Sequence, residues 1–161
     1  VAARIGGRAA GRATRLCYKA RLSSHQPRPA AMPDTATMTL PELFTDADGR
    51  ARWRERVLPL AEGSPASRLT ALAPSGGSQW RRSPAGFASQ FHCTTTPQWL
   101  VVLRGRMEIG LQDGSRRVFG PGECFYSNDT LPPGATFDAT LHGHCSRALG
   151  DEGLETLFVR D

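Results

Sequence analysis

The sequence predicts an all-β fold, a sandwich or barrel of short strands, and three observations carry that prediction. From about Ser67 onward, short apolar and polar alternations are cut at close intervals by turns such as Asp113-Gly114 and Gly120-Pro121-Gly122. No segment sustains the 3.6-residue apolar period over a helix of convincing length. The length of 161 residues suits one domain with a single core. Apolar content is an ordinary 39%, and no stretch approaches the ~18 consecutive apolar residues of a membrane span.

Taken in order, residues 1–37 stand apart from the fold as a basic leader, disordered or not part of the mature protein. Seven basic residues (Arg4, Arg8, Arg12, Arg15, Lys19, Arg21 and Arg28) precede the first acidic one, Asp34. Arg4, Arg8, Arg12 and Arg15 recur at helical spacing opposite Ile5, Ala9, Ala13 and Leu16, the composition of a transit peptide. A basic tail is a second reading, and sequence lying upstream of a start at Met32 or Met38 is a third. Beyond residue 33 stand 13 arginines and 15 acidic residues, a net charge of −2, so the formal +5 of the chain belongs to the leader. The body therefore offers no electrostatic footprint for nucleic acid or a membrane surface.

Residues 38–63 read as an N-terminal arm with one turn and a short helical segment. Asp46 and Asp48 before Gly49 resemble the start of a calcium loop, whose third acidic position and closing Glu are missing here. The barrel follows over 64–161. Met107, Ile109 and Leu111 alternate with Arg106, Glu108, Gly110 and Gln112 as in a half-buried strand, and Asp113-Gly114 supplies a two-residue hairpin turn. Arg117 to Phe119 returns, Glu123 to Ser127 forms another strand, and Leu154 to Val159 one more. Residues 128–141, with Pro132-Pro133-Gly134, break this rhythm and are either the rim of a site or a surface insertion. Edge strands and an arm of this kind predict pairing with a second copy, a homodimer. Three cysteines beyond the leader, with no secretory signal, point to a reducing, cytoplasmic setting rather than a disulfide framework.

Candidate chemistry rests on His92, His142 and His144, the histidines beyond the leader. His142 and His144, two residues apart, share one face of a strand. The same parity sets Cys145 and Cys93 opposite their neighbouring histidines, which argues against a His/Cys zinc site. Tyr126, just before the 128–141 segment, is a candidate proton donor, although such a tyrosine is more often a core residue. Trp80, Trp99, Phe91 and Phe125 read as packing, and the pairs Arg81-Arg82 and Arg116-Arg117 as solvated turns and faces; a pair bordering the barrel mouth would attract a carboxylate, but nothing in the sequence places one there.

Gly86, five residues, His92, a single residue, Thr94, then Gln98, six residues and Gly105 resembles the first motif of the cupin superfamily. That motif has His at the position of Thr94 and Glu at the position of Gln98. The stretch Phe119-Gly-Pro-Gly-Glu123 resembles the opening of the second motif, and His144 its histidine. Here 21 residues separate Gly122 from His144, more than the pattern has, and Ala148 stands where Asn is typical. The resemblance covers about residues 64–161. It implies a jelly-roll barrel holding a divalent metal, Mn, Fe, Ni or Zn, through His92, Gln98 and His144, with His142 as a substitute for the missing second histidine. Such an all-neutral ligand set leaves the ion its full charge, which favours anionic substrates and Lewis-acid chemistry of lyase or isomerase type over dioxygen activation. Cupins with Gln at the Glu position include manganese-dependent hydroxynitrile lyase types, a likeness at one residue. The expectation is a metal-dependent enzyme acting on a small polar or anionic organic molecule. The alternative is a non-catalytic barrel that binds a small ligand as a sensor.

Overall fold

The computed structural model describes residues 36–161; residues 1–35 of the leader, Met32 among them, lie outside the described residues, and its last residue, Thr37, is the first of a strand. Among the described residues the secondary structure is all strand and turn, with no helix. The strands are β1 (Thr37–Thr45), β2 (Ala51–Pro59), β3 (Glu62–Ser64), β4 (Ser67–Leu69), β5 (Gly77–Ser83), β6 (Gln98–Arg104), β7 (Arg106–Gly110), β8 (Arg116–Phe119), β9 (Cys124–Asn128), β10 (Cys145–Leu149) and β11 (Leu154–Arg160). No helix among the described residues is long and apolar enough to cross a membrane.

A six-stranded sheet runs in the order β2-β1-β9-β6-β11-β5, and a three-stranded sheet in the order β10-β7-β8. The segment between β5 and β6 joins the free edge of β10 through two isolated bridges, Ala88↔Arg147 and His92↔His144. It makes a fourth strand position there. With β5-β11-β6-β9 on one side and this segment, β10, β7 and β8 on the other, the strand order is that of a double-sheet jelly roll, the architecture that the resemblance implies. The core lies between the sheets: Leu43, Leu100, Val102 and Phe125 from one meet Met107, Ile109, Phe119 and Ala148 from the other. Burying Phe125 completely contributes about 2–3 kcal/mol.

The helical segment expected in the arm is not formed. β1 and β2 make an antiparallel hairpin from Thr37↔Pro59 to Thr45↔Ala51, and β1 then adds in parallel to β9 at Glu42↔Tyr126. Pairing and burial on a pleated surface override local preference here. Ala51 is buried, and the Trp53 ring packs on Phe119 at 5.6 Å and on Phe125 at 5.4 Å between centroids. The carboxylates of Asp46 and Asp48 are engaged by Arg52 at 2.8 and 2.7 Å, closing the turn that their spacing suggested as a cation loop.

Candidate functional site

The inward-facing residues of the larger sheet form rows set by register. Arg160 lies opposite Gln98 and Gln98 opposite Ser127, while Phe158 lies opposite Leu100 and Leu100 opposite Phe125. On the facing wall, Ser146 pairs with Ile109, and the bridge joins His144 to His92 with reciprocal backbone N–H···O bonds of 2.9 Å. Between these walls is an inner cavity of about 160 Å³, whose lining includes His92, Cys93, Thr94, Gln98, Ser127, His144 and Ser146 over apolar Leu100, Met107 and Ile109. A wider mouth of about 310 Å³ is lined by Gln79, Trp80 and Arg160, and shares Arg81, His92, Gln98 and Phe158 with the inner cavity.

The two histidine rings lie 4.6 Å apart between centroids. His92 Nδ1 stands 2.9 Å from the carbonyl oxygen of Gln90, so that nitrogen donates and Nε2 carries the free lone pair. Desolvation pushes the His92 imidazole below its ordinary pKa; the nearby His144 and Arg81 add to the shift, while the Gln90 carbonyl and Asp129 oppose it. His144 Nδ1 donates to Asp129 Oδ2 at 2.6 Å, again leaving Nε2 for the cavity. Asp129 is wholly buried, and its Oδ1 accepts from Thr94 Oγ1 at 2.7 Å and from Ser127 Oγ at 3.2 Å. Thr94, at the position where the cupin pattern has its second histidine, thus anchors the carboxylate that orients the other one.

His92, Gln98 and His144 come together in the inner cavity, whereas the other two predicted site residues lie elsewhere. His142 is buried away from the cavity, its Nδ1 accepting from the Asp138 backbone N–H at 2.9 Å, and a Cβ on Gly49 would meet its Nε2 at 3.3 Å. The parity argument fails because residues 141–143 are not strand and Gly143 has φ +73°, which turns the chain between the two histidines. Cys93, expected opposite His92, lines the same cavity for a like reason: His92 is joined to its neighbour by a single bridge, not a continuous ladder. Tyr126 sits one residue from inward Ser127 and so faces the outside of the sheet, where Trp99 packs at 5.0 Å and the Arg56 guanidinium covers its ring at 4.2 Å. Its hydroxyl donates to Asp161, and burial together with that carboxylate pushes its pKa up to about 12. It is a buried tyrosine on the outer side of the sheet and lines neither the cavity nor its mouth.

Two participants escaped sequence reasoning. Asp129 belongs to the 128–141 segment, whose return to the barrel is pinned by Gln112 Nε2 donating to the Ala139 carbonyl at 2.6 Å. Arg81 parts from its neighbour. Arg82 pairs with Glu155 at 2.8 Å on the outer face, while Arg81 lines the mouth. The sequence of β5 carries no apolar alternation that would mark Arg81; its side follows from strand parity with buried Ser83, two residues on.

The donor set bears on the metal that the resemblance implies. Both imidazoles have Nδ1–H tied to an oxygen, the arrangement that fixes metal-binding histidines in the correct tautomer. Gln98 supplies an amide oxygen in the same cavity. Among the described residues no cluster of three His, Cys, Asp or Glu side chains converges on one point. Two imidazoles and a side-chain amide, all neutral donors, line this cavity, and among the described residues no carboxylate lines it.

No family model matches the chain, and no curated protein matches it. Among solved structures the chain is similar to a cupin 2 conserved barrel domain protein from Salinispora arenicola CNS-205, at 18% identity over 86% of this chain and 91% of that one, with a TM-score of 0.39. It is similar to a cupin 2 conserved barrel domain protein from Rhodopseudomonas palustris, at 16% identity over 78% of this chain and 74% of that one, with a TM-score of 0.36. An RmlC-like cupin protein from Desulfovibrio desulfuricans is similar at 13% identity over 86% of this chain and 97% of that one, with a TM-score of 0.35.

Proposed function

We propose that this jelly roll is a metal-dependent cupin enzyme acting on a small polar or anionic organic molecule. The observation that carries the reading is the pairing of His92 and His144, each with Nδ1 committed to an oxygen and Nε2 left for the cavity. His92, His144 and Gln98 would hold the ion. When bound, a divalent ion supplies Lewis-acid polarisation of a substrate carbonyl or hydroxyl, chemistry that serves lyase and isomerase reactions. The chain's own residues do the rest. Asp129 holds the His144 ring in one orientation, Leu100, Met107 and Ile109 exclude water beneath it, and among the described residues no acidic side chain lines the mouth or cavity to repel an anion. Tyr126 has no part in proton transfer on this reading. The proposal includes a homodimer paired at an open edge of the larger sheet, β2 or β5, and a reducing cytoplasmic setting for the free thiols of Cys93, Cys124 and Cys145.

A second reading, a non-catalytic barrel that binds a small ligand, is favoured by the lack of a third strong donor beside the two imidazoles. Elemental analysis after supply of Mn, Fe, Ni and Zn separates the two. The metal reading expects near-stoichiometric ion in the wild type, in His142→Ala and in Tyr126→Phe, and its loss in the paired His92→Ala and His144→Ala variant. Substoichiometric metal that ignores the paired change would leave the ligand-binding barrel.

A further inference from the structure

We propose that Arg81 is the anchor for a carboxylate, and that the molecule entering this barrel is a small organic monocarboxylate whose acid group is held at the mouth and whose body reaches toward His92 and His144. The inference rests on the functional reading above for what happens in the inner cavity, and adds the class of ligand and the residue that selects it.

Four observations carry it. Arg81 lines both the mouth and the inner cavity, so one guanidinium spans the passage between them. It is also held in place before any ligand arrives: Nε donates to Ser83 Oγ at 3.1 Å, and the guanidinium lies 4.4 Å over the Phe87 ring. With Nε occupied, the terminal amino groups form the free end of a planar fork, the geometry that pairs with a carboxylate through two parallel hydrogen bonds. Third, the neighbouring Arg82 has its carboxylate, Glu155 at 2.8 Å, while desolvation alone, with no acidic partner, lowers the pKa of Arg81. Arg81 is exposed and has no carboxylate partner among the described residues, so its guanidinium is open to one carried by a ligand. Finally, among the described residues no Asp or Glu lines either space. The second cation at the mouth, Arg160, donates to Gln79 Oε1 at 2.9 Å and adds attraction at longer range.

A carboxylate fits better than a phosphate. One planar fork matches the two oxygens of a carboxylate, whereas a phosphoryl group draws on several converging donors, typically a helix N-terminus or a run of backbone N–H groups. The mouth residues are side chains of β5, β6 and β11 with His92, and no helix occurs among the described residues.

The test is titration calorimetry of the full chain with pyruvate and benzoate, set against pyruvamide, benzamide and inorganic phosphate. The expected result is that at least one carboxylate binds and its amide binds at least about tenfold more weakly, since a charge-assisted pair is being replaced by a neutral one. Arg81→Gln should weaken that carboxylate about 10- to 100-fold and leave the amide unchanged. Arg81→Lys, which keeps the charge and loses the fork, should fall between. Arg82→Gln removes the same charge from the outer face and should change nothing. Equal binding by wild type and Arg81→Gln, or phosphate binding more tightly than every carboxylate, overturns the proposal. If carboxylates bind through Arg81 while metal retention ignores His92 and His144, the anchor stands and the metal reading falls. If metal is retained through the histidines and no carboxylate binds, the anchor falls alone.

Discussion

Truncating Asp129 to alanine tests whether the buried polar network does the positioning ascribed to it. The side chain is wholly buried and accepts three hydrogen bonds, from His144 Nδ1 at 2.6 Å, Thr94 Oγ1 at 2.7 Å and Ser127 Oγ at 3.2 Å. Part of the loss repairs itself, because the Thr94 and Ser127 hydroxyls already stand 2.6 Å apart and can pair with each other. The His144 Nδ1 cannot, so the variant forfeits a bond to a carboxylate, about 1.5–3 kcal/mol, and leaves a buried ring nitrogen without a partner at about 1–3 kcal/mol more. The expected destabilisation is about 3–5 kcal/mol, as when one partner of a buried pair is removed. At about 4 °C per kcal/mol for a domain of this size, the melting temperature falls by about 12–20 °C. Urea unfolding followed by tryptophan fluorescence reads this directly, since Trp53 packs between Phe119 and Phe125. Asp129→Asn separates stability from positioning. Its amide oxygen still accepts from Thr94, so the loss is about 1–2 kcal/mol. With an NH₂ facing the ring, however, the imidazole shifts its proton to Nε2, and metal retention at the histidine pair should weaken about 10- to 100-fold. If both variants unfold within about 0.5 kcal/mol of the wild type, as ordinary surface substitutions do, the argument from the network is refuted.

Two further outcomes follow from the same geometry. Gly143→Ala places a Cβ 2.1 Å from the His92 carbonyl oxygen at φ +73°, so thermal melts should show a loss of about 3 kcal/mol or more. Gly122→Ala carries a similar φ of +85° with nothing within 4 Å and should cost only about 1 kcal/mol, and equal losses would show that the His92–His144 bridge is not the sensitive element. At the hairpin, Arg54 donates to both carboxylate oxygens of buried Glu42 at 2.8 and 2.9 Å and holds its pKa below the ordinary 4.5. A depressed carboxyl stabilises the fold fully above the ordinary value, and that contribution is lost as pH falls through the folded value. The stability gap between wild type and Glu42→Gln should therefore be open at pH 7 and close below about pH 4. A gap that stays constant from pH 7 to pH 3 would contradict the ion-pair account.

The fold was legible wherever alternation and turn chemistry agreed. Residues 106–119 showed both strands and the Asp113-Gly114 turn, and the strands at 124–128 and 154–160 lie within a residue of where their pattern placed them. The arm was misread because Ala51 to Pro59 carries four arginine and glutamate side chains whose strand character comes from pairing with β1, a partner that local sequence does not reveal. At the site, the spacing of His92 and Gln98 from their flanking glycines gave two cavity residues, and His144 gave a third. Parity then misplaced His142 and Cys93, since alternation holds only along a continuous strand and both lie where the chain is bridged or bent. Asp129 could not be found in this way. It reaches His144 across 15 positions of chain, through a segment whose path only the folded structure defines.

The place of β11 in the larger sheet also governs the order in which the chain can be assembled. β11 lies between β5 and β6, which have no ladder with each other, so Gly77–Ser83 has no partner in that sheet until Leu154–Arg160 arrives. During synthesis the mouth wall bearing Arg81 therefore waits, with a bare edge, while about seventy further residues are made. Non-local pairing of this kind is slow and leaves unpaired edges exposed to other nascent chains. A free chain ending at residue 150 would hold both histidines of the site and all strands of the smaller sheet, yet carry a larger sheet from which β5 is still detached.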